Sequence, residues 1–202
     1  MLYYMFNKPK GCVTACSDAE HHTVMEYFPP ELAARLHPVG RLDEDTCGLL
    51  IMTDDGSIDQ RLLSPENHVS KTYYFHAFGD ITEEKIKELE GGICLGSMTA
   101  LPAVFEMQQR CHVRDIEQYM PPSRRERYMK NPDGKAFTAR LTVYEGKKHQ
   151  VKRMLRAVGC KICYLRRERI GALSLDPLLP PGGYRVLTDE ELDLLLTGRS
   201  QR

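Results

Sequence analysis

Gly40-Arg41-Leu42-Asp43-Glu44-Asp45-Thr46-Cys47-Gly48-Leu49-Leu50-Ile51-Met52-Thr53 sets an acidic loop directly against an apolar run, and Asp54-Asp55-Gly56 closes the stretch with a turn. The run over residues 49–53 is uninterrupted and bounded by turn residues, which reads as a strand buried on both faces. Asp43 therefore stands on a short loop that rigid chain holds from both sides. That is how a fold aims a carboxylate into a cleft, although an aspartate in such a place is also an ordinary solvated loop residue.

Outward from this stretch, strands and helices intermix. Residues 2–6 read as a strand, 30–36 as a short helix, and Ser57–Leu63 as a helix following the turn. Lys71–Phe78 is rich in aromatics and reads as a strand, and 81–89 as a helix with Thr82 near its start and acids in its first turn. Phe137, Ala139, Leu141 and Val143 alternate with polar residues, the mark of a half-exposed strand. Val151, Met154, Leu155 and Val158 fall at helical spacing, with Lys148, Lys152 and Arg156 along an adjacent face. Thr188 and Glu191 have the spacing of a capping box before a last helix. No regular parallel repeat is present, so the expected class is α+β, a mixed, largely antiparallel sheet flanked by helices. At 202 residues the chain is long enough for one sizeable core, and residues 1–202 read as a single domain of one or two lobes.

Composition narrows the function classes. No apolar run reaches the roughly 20 residues of a membrane span, and the N-terminus lacks a signal-peptide core, so a cytoplasmic protein without membrane contact is expected. Seven cysteines at irregular spacing do not form a disulfide framework. Cys160 and Cys163 have redox or zinc spacing, but a second pair is missing. The structural reading, Cys160 after a helix stop at Gly159 and Cys163 packed in the next strand, is preferred to a metal site.

The charges cancel overall, 28 basic against 28 acidic, yet they are not evenly spread. Between residues 147 and 169 lie nine lysines and arginines with Glu168 as the single acid, while acids collect over 80–90 and 189–193. A local basic stretch is what steers a neutral protein toward a polyanion, although a charge run is often just a solvated face. A second segment, 107–135, carries Arg110, Arg114, Arg124, Arg125, Arg127 and Lys130, interrupted by Pro121-Pro122 and Asn131-Pro132-Asp133-Gly134. It reads as a basic insertion, either a mobile surface loop or a substrate-recognition arm, the arm being slightly favoured.

Several blocks, in order, carry a family resemblance: Asn7-Lys8-Pro9-Lys10-Gly11, Gly40-Arg41-Leu42-Asp43 with Thr46 and Gly48, Lys71-Thr72-Tyr73, Glu145-Gly146-Lys147-Lys148-His149-Gln150-Val151-Lys152-Arg153-Met154, and Pro181-Gly182-Gly183-Tyr184. Together they resemble the bacterial ribosomal RNA pseudouridine synthases of the RsuA type. The resemblance implies the fold above and makes Asp43 the catalytic carboxylate. It makes Tyr73 the aromatic wall for an extruded base, against the plainer reading of a core tyrosine beside Tyr74 and Phe75. It gives Lys152 the place of the basic partner of Asp43, where relatives commonly carry arginine; lysine lacks the guanidinium fork, and Arg153 is the alternative. Arg41, Lys8, Lys148, Arg153 and Arg156 are the expected RNA contacts. Isomerising uridine to pseudouridine needs no metal or organic cofactor, and no P-loop or dinucleotide fingerprint is present. The expected partner is RNA, ribosomal RNA ahead of transfer RNA, bound by a monomer.

Many relatives carry a small S4-like RNA-binding domain ahead of the catalytic one, whereas the first strand here starts near residue 2. Two other readings are weaker. Asp43 with Glu44 or Asp45 as a glycosidase pair fails because neighbours in one loop rarely span the roughly 5–9.5 Å such chemistry needs. A non-catalytic RNA-binding or ribosome-assembly factor would have no use for an acid facing phosphates.

Overall fold

The computed structural model describes residues 1–96 and 98–197. In chain order the elements are β1 (Tyr3–Lys8), α1 (Pro30–Ala33), β2 (His37–Val39), β3 (Cys47–Thr53), α2 (Ser57–Leu63), β4 (Lys71–Phe78), α3 (Glu83–Gly91), β5 (Val104–His112), α4 (Pro122–Tyr128), β6 (Lys135–Val143), α5 (Gln150–Ala157), β7 (Lys161–Ile170), β8 (Leu173–Ser174), β9 (Tyr184–Val186) and α6 (Asp189–Thr197). The class is α+β with a mixed, mostly antiparallel sheet, as expected. The chain divides into two compact units, one made of Met1–Lys71 and the chain from Arg166 onward, the other of Thr72–Leu165. Among the described residues no helix is long and apolar enough to cross a membrane.

In the first unit β3 is the central strand. It pairs antiparallel with β1 from Tyr3↔Thr53 to Lys8↔Gly48, while its other edge takes β2 antiparallel and the Arg166-Arg167 end of β7 in parallel. Leu49, Leu50, Ile51 and Met52 are all fully buried, which explains the unbroken apolar run: both faces of the strand are covered. Leu49 and Ile51 join Met5, Ile58, Leu62, Ile170 and Leu195 in one core. Opposite them, Leu50 and Met52 share the face of their register partners Phe6 and Tyr4, which pack edge-on and tilted around Phe28.

Gly48 has φ +105°, and a Cβ built on it would stand 2.2 Å from the Arg167 carbonyl oxygen. Only glycine lets β3 and β7 approach this closely. The helix expected over 30–36 is the single turn α1. It stops because His37 precedes Pro38, whose ring forces the preceding residue into the extended conformation that opens β2.

In the second unit the strand order is β5-β6-β4-β7. β5 and β6 pair from Val104↔Thr142 to His112↔Lys135 with a bulge between Met107 and Gln109. Thr82 caps α3, its hydroxyl accepting from the Lys85 N–H, as its place in the sequence suggested. Phe75, Ala77, Leu89, Phe137, Ala139, Leu141, Met154 and Leu155 form the core. The alternation of residues 137–143 and the stripe on α5 thus point at the same interior.

Segment 107–135 is folded chain. β5 extends to His112, a 3₁₀ turn spans Val113–Tyr119, α4 follows, and the Asn131–Gly134 turn returns the chain to β6. Val113, Ile116, Met120, Ala136 and Cys163 make a small core for it. The mobile-loop alternative is therefore set aside, because a segment with its own buried cluster is ordered by that cluster.

Candidate active site

Asp43 lies half-buried in the loop between β2 and β3 of the first unit. The loop enters through Gly40 at φ +71° and leaves through Gly48, so both hinges sit where side-chain-bearing residues are strained. Its backbone is tied down nearly residue by residue. The Thr14 hydroxyl donates to the Leu42 carbonyl at 2.8 Å and accepts from the Leu42 N–H at 3.1 Å. The Thr46 N–H closes a turn on the Asp43 carbonyl at 3.0 Å, and the Gly11 N–H donates to the Glu44 carbonyl at 2.9 Å.

Lys8 completes this frame. At the end of β1 its side chain is fully buried, and Nζ donates to the carbonyls of Pro9 at 3.0 Å, Asp43 at 3.1 Å and Thr46 at 3.0 Å, with Glu44 at 3.5 Å. Burial pushes the amine below its ordinary pKa; the thiols of Cys12 and Cys47 and the carboxylates of Asp45 and Asp43 oppose that shift. Lys8 was expected among the RNA contacts. With no exposed surface and its donors spent on the loop, it serves instead as the loop's internal cation. Arg41, two residues before Asp43, is exposed.

The remaining expected residues belong to the second unit. Tyr73 is half-buried on β4, packed at the border of the core that contains Val151, Met154 and Leu155 of α5. It shares the face of Phe75 and packs against the core, which is the core-tyrosine reading, while part of its surface stays exposed. Lys152 is half-buried on α5. Arg153 points elsewhere: its guanidinium donates to the Leu95 carbonyl and, at 3.1 Å, to the Met98 sulfur. That side chain fastens the loop before residue 99, which weakens it as the alternative basic partner.

Lys148 and Arg156 are both exposed, but they are not on one helix face. The helix begins at Gln150 because His149 takes a left-handed conformation, φ +53°, and Lys148 lies in the turn before it. Glu145 organises that turn: it accepts from Gln150 at 2.8 Å and from the Leu101 N–H at 2.9 Å and pairs with Lys147 at 2.8 Å. Of the nine cations between residues 147 and 169, then, Lys147 is paired, Arg153 is tied to a loop, and Arg167 is buried with Nε on the Leu49 carbonyl at 2.8 Å. The footprint is narrower than the sequence count suggested.

Sequence reasoning missed Thr14, whose partner lies 28 residues away, and the role of Lys8. The one local hint for Lys8 was its place at the end of a strand whose preceding residues are apolar. Cys160 and Cys163 are buried, and among the described residues no group of three or more His, Cys, Asp or Glu is placed to hold a metal.

Residues 2–157 match the family described as RNA pseudouridylate synthase. An uncharacterized RNA pseudouridine synthase, YtzG, of Bacillus subtilis is 41% identical over 196 residues, covering 96% of this chain and 73% of that one. The ribosomal small subunit pseudouridine synthase A of Escherichia coli is 38% identical over 192 residues, 94% of this chain and 72% of its own. A crystal structure of a pseudouridylate synthase superposes with a TM-score of 0.79 at 35% identity, over 96% of this chain and 73% of that chain. The match runs through the Asp43 loop, Tyr73 and α5 alike, and by it the chain belongs to the RNA pseudouridylate synthase family.

Proposed function

We propose that the protein isomerises a uridine of ribosomal RNA to pseudouridine, with Asp43 as the catalytic carboxylate. The observation that carries this reading is the Asp43 loop, whose carbonyls are gripped by a buried ammonium while the carboxylate-bearing residue stays partly open. In the reaction the N1–C1′ bond breaks, the uracil turns, and a C5–C1′ bond forms while the proton from C5 is replaced by one on N1. Atoms and electrons balance within the nucleotide, so one positioned carboxylate, acting on sugar or base, suffices. A base must leave its stack to be isomerised, and on the family resemblance Tyr73 is the candidate aromatic wall for it. Arg41, Lys148 and Arg156 hold phosphates, and Lys152 is kept as the candidate basic partner of the catalytic carboxylate on the family resemblance. Ribosomal RNA is favoured over transfer RNA because a relative at 38% identity is named for the ribosomal small subunit.

The test is an Asp43→Asn protein given ribosomal RNA fragments, read by pseudouridine mapping and by filter binding. Loss of pseudouridine formation with RNA affinity within about twofold of the parent is expected, because removing the nucleophile removes the reaction path itself. Asp45→Asn should keep substantial activity. An Asp43→Asn protein that converts uridine at the parent's rate would leave a non-catalytic RNA-binding factor as the better account.

A further inference from the structure

The folded insertion builds a cavity of about 450 Å³ against the C-terminal end of β4 and the start of β7. That volume lies within the roughly 300–1,000 Å³ usual for ligand clefts, and the cleft is open to solvent on one side. Its wall is aromatic: the rings of Phe78 and Tyr128 pack with centroids 4.4 Å apart, and the Lys161 ammonium sits 5.1 Å from the Tyr128 centroid. Its rim is cationic. Arg127, Lys130, Lys135 and Lys161 line it against one carboxylate, Asp80, which Lys135 and Arg110 already hold.

Three other arginines of the insertion are engaged internally, Arg110 on Asp80, Arg114 on Asp133 and Arg125 on Glu117. Arg127, Lys130 and Lys161 form no ion pair among the described residues. Three unpaired cations lining one pocket beside a tilted aromatic pair are the chemistry that grips single-stranded nucleic acid. Phosphate takes the cations and a base takes the ring face. The small core of Val113, Ile116, Met120, Ala136 and Cys163 fixes the arrangement before any ligand arrives.

We propose that this cavity is a substrate-RNA subsite, holding the phosphate of an unpaired nucleotide with Arg127 and Lys130 and stacking its base on Tyr128, the Lys161 ammonium giving up the ring for the phosphate. The proposal rests on the RNA reading above and adds to it a recognition element separate from the Asp43 loop. It makes the insertion a specificity determinant for RNA that extends beyond the target uridine.

The test uses the full chain with ribosomal RNA fragments of graded length. R127A/K130A should weaken affinity for long fragments roughly tenfold at physiological salt and flatten the log–log salt slope by about 1.4, two phosphates at ~0.7 each for single strands. Y128L should weaken it roughly fivefold or more, the worth of one base stacked on an aromatic ring. Because Tyr128 packs on Phe78 and its loss can loosen the fold, K161E on the exposed start of β7 gives a second reading, with the same direction expected.

Affinity and slope matching the parent on every fragment, for R127A/K130A and K161E alike, would overturn the subsite and leave the pocket to an acidic protein surface instead. The two readings separate cleanly. A parent that binds RNA but forms no pseudouridine, with R127A/K130A still weaker, sinks the isomerase reading and keeps the subsite. Normal pseudouridine formation with unchanged variant binding does the reverse.

Discussion

Lys8 carries more of the local architecture than any other single side chain near Asp43. A methionine there has similar volume but no ammonium, and it would leave the Thr46 carbonyl without its donor. Lys8→Met is expected to lose roughly 1–3 kcal/mol of stability, the cost of one buried polar group left unsatisfied. Turnover should fall further, about a hundredfold, since a misplacement of about 1 Å in a reacting group is enough for that. Denaturant melts and single-turnover assays on the same preparation check both numbers. Lys8→Arg should not rescue, because the planar guanidinium cannot replace a compact ammonium among four carbonyls. This residue also shows a limit of sequence reading. A lysine beside Pro9 and Gly11 looks like a phosphate ligand until its depth is known, and depth is a property of tertiary packing.

At the level of elements, β3, α2, β4 and the capped start of α3 were legible because each is bounded by strong local signals: the Asp-Asp-Gly turn, Thr82, and runs of matching period. The start of α5 was not, because nothing in His149 announces a left-handed residue, and that one backbone angle moves Lys148 off the helix. Lys148 and Arg156 still face solvent, so both remain phosphate candidates. Replacing both with glutamine should weaken binding to every RNA tested and reduce the salt slope by about 1.4 to 1.8. An unchanged slope, measured by filter binding across a salt series, would move the RNA surface elsewhere. Gly48 tests the strand geometry. Gly48→Ala should destabilise by at least roughly 1–3 kcal/mol from backbone strain alone, with the Arg167 carbonyl clash added to it, which thermal melts will show.

For the whole molecule, stability should depend on pH through Lys71. Burial, with the charge of Arg167 adding to it, lowers its amine to about 8, against about 10.4 for an unfolded lysine. Between these values the unfolded chain binds the extra proton, so this group makes stability rise as pH climbs from 8 toward 10.4. Denaturant titrations at pH 7.5 and 10 should give a larger rise for the parent than for Lys71→Met; equal changes would show that Lys71 is solvated. The fold class and the family could be read from the sequence alone, and the ordered motifs singled out Asp43 as the candidate carboxylate. The frame around Asp43 could not, since Lys8 and Thr14 reach it from 35 and 28 residues away. That distance has a practical corollary for protein engineering. The loop is not a portable cassette: residues 40–46 moved onto another scaffold would bring the carboxylate without the strand-borne cation that orients it. A transplant would have to carry β1 along, because the ion that sets the loop's shape is written into the chain rather than drawn from the buffer.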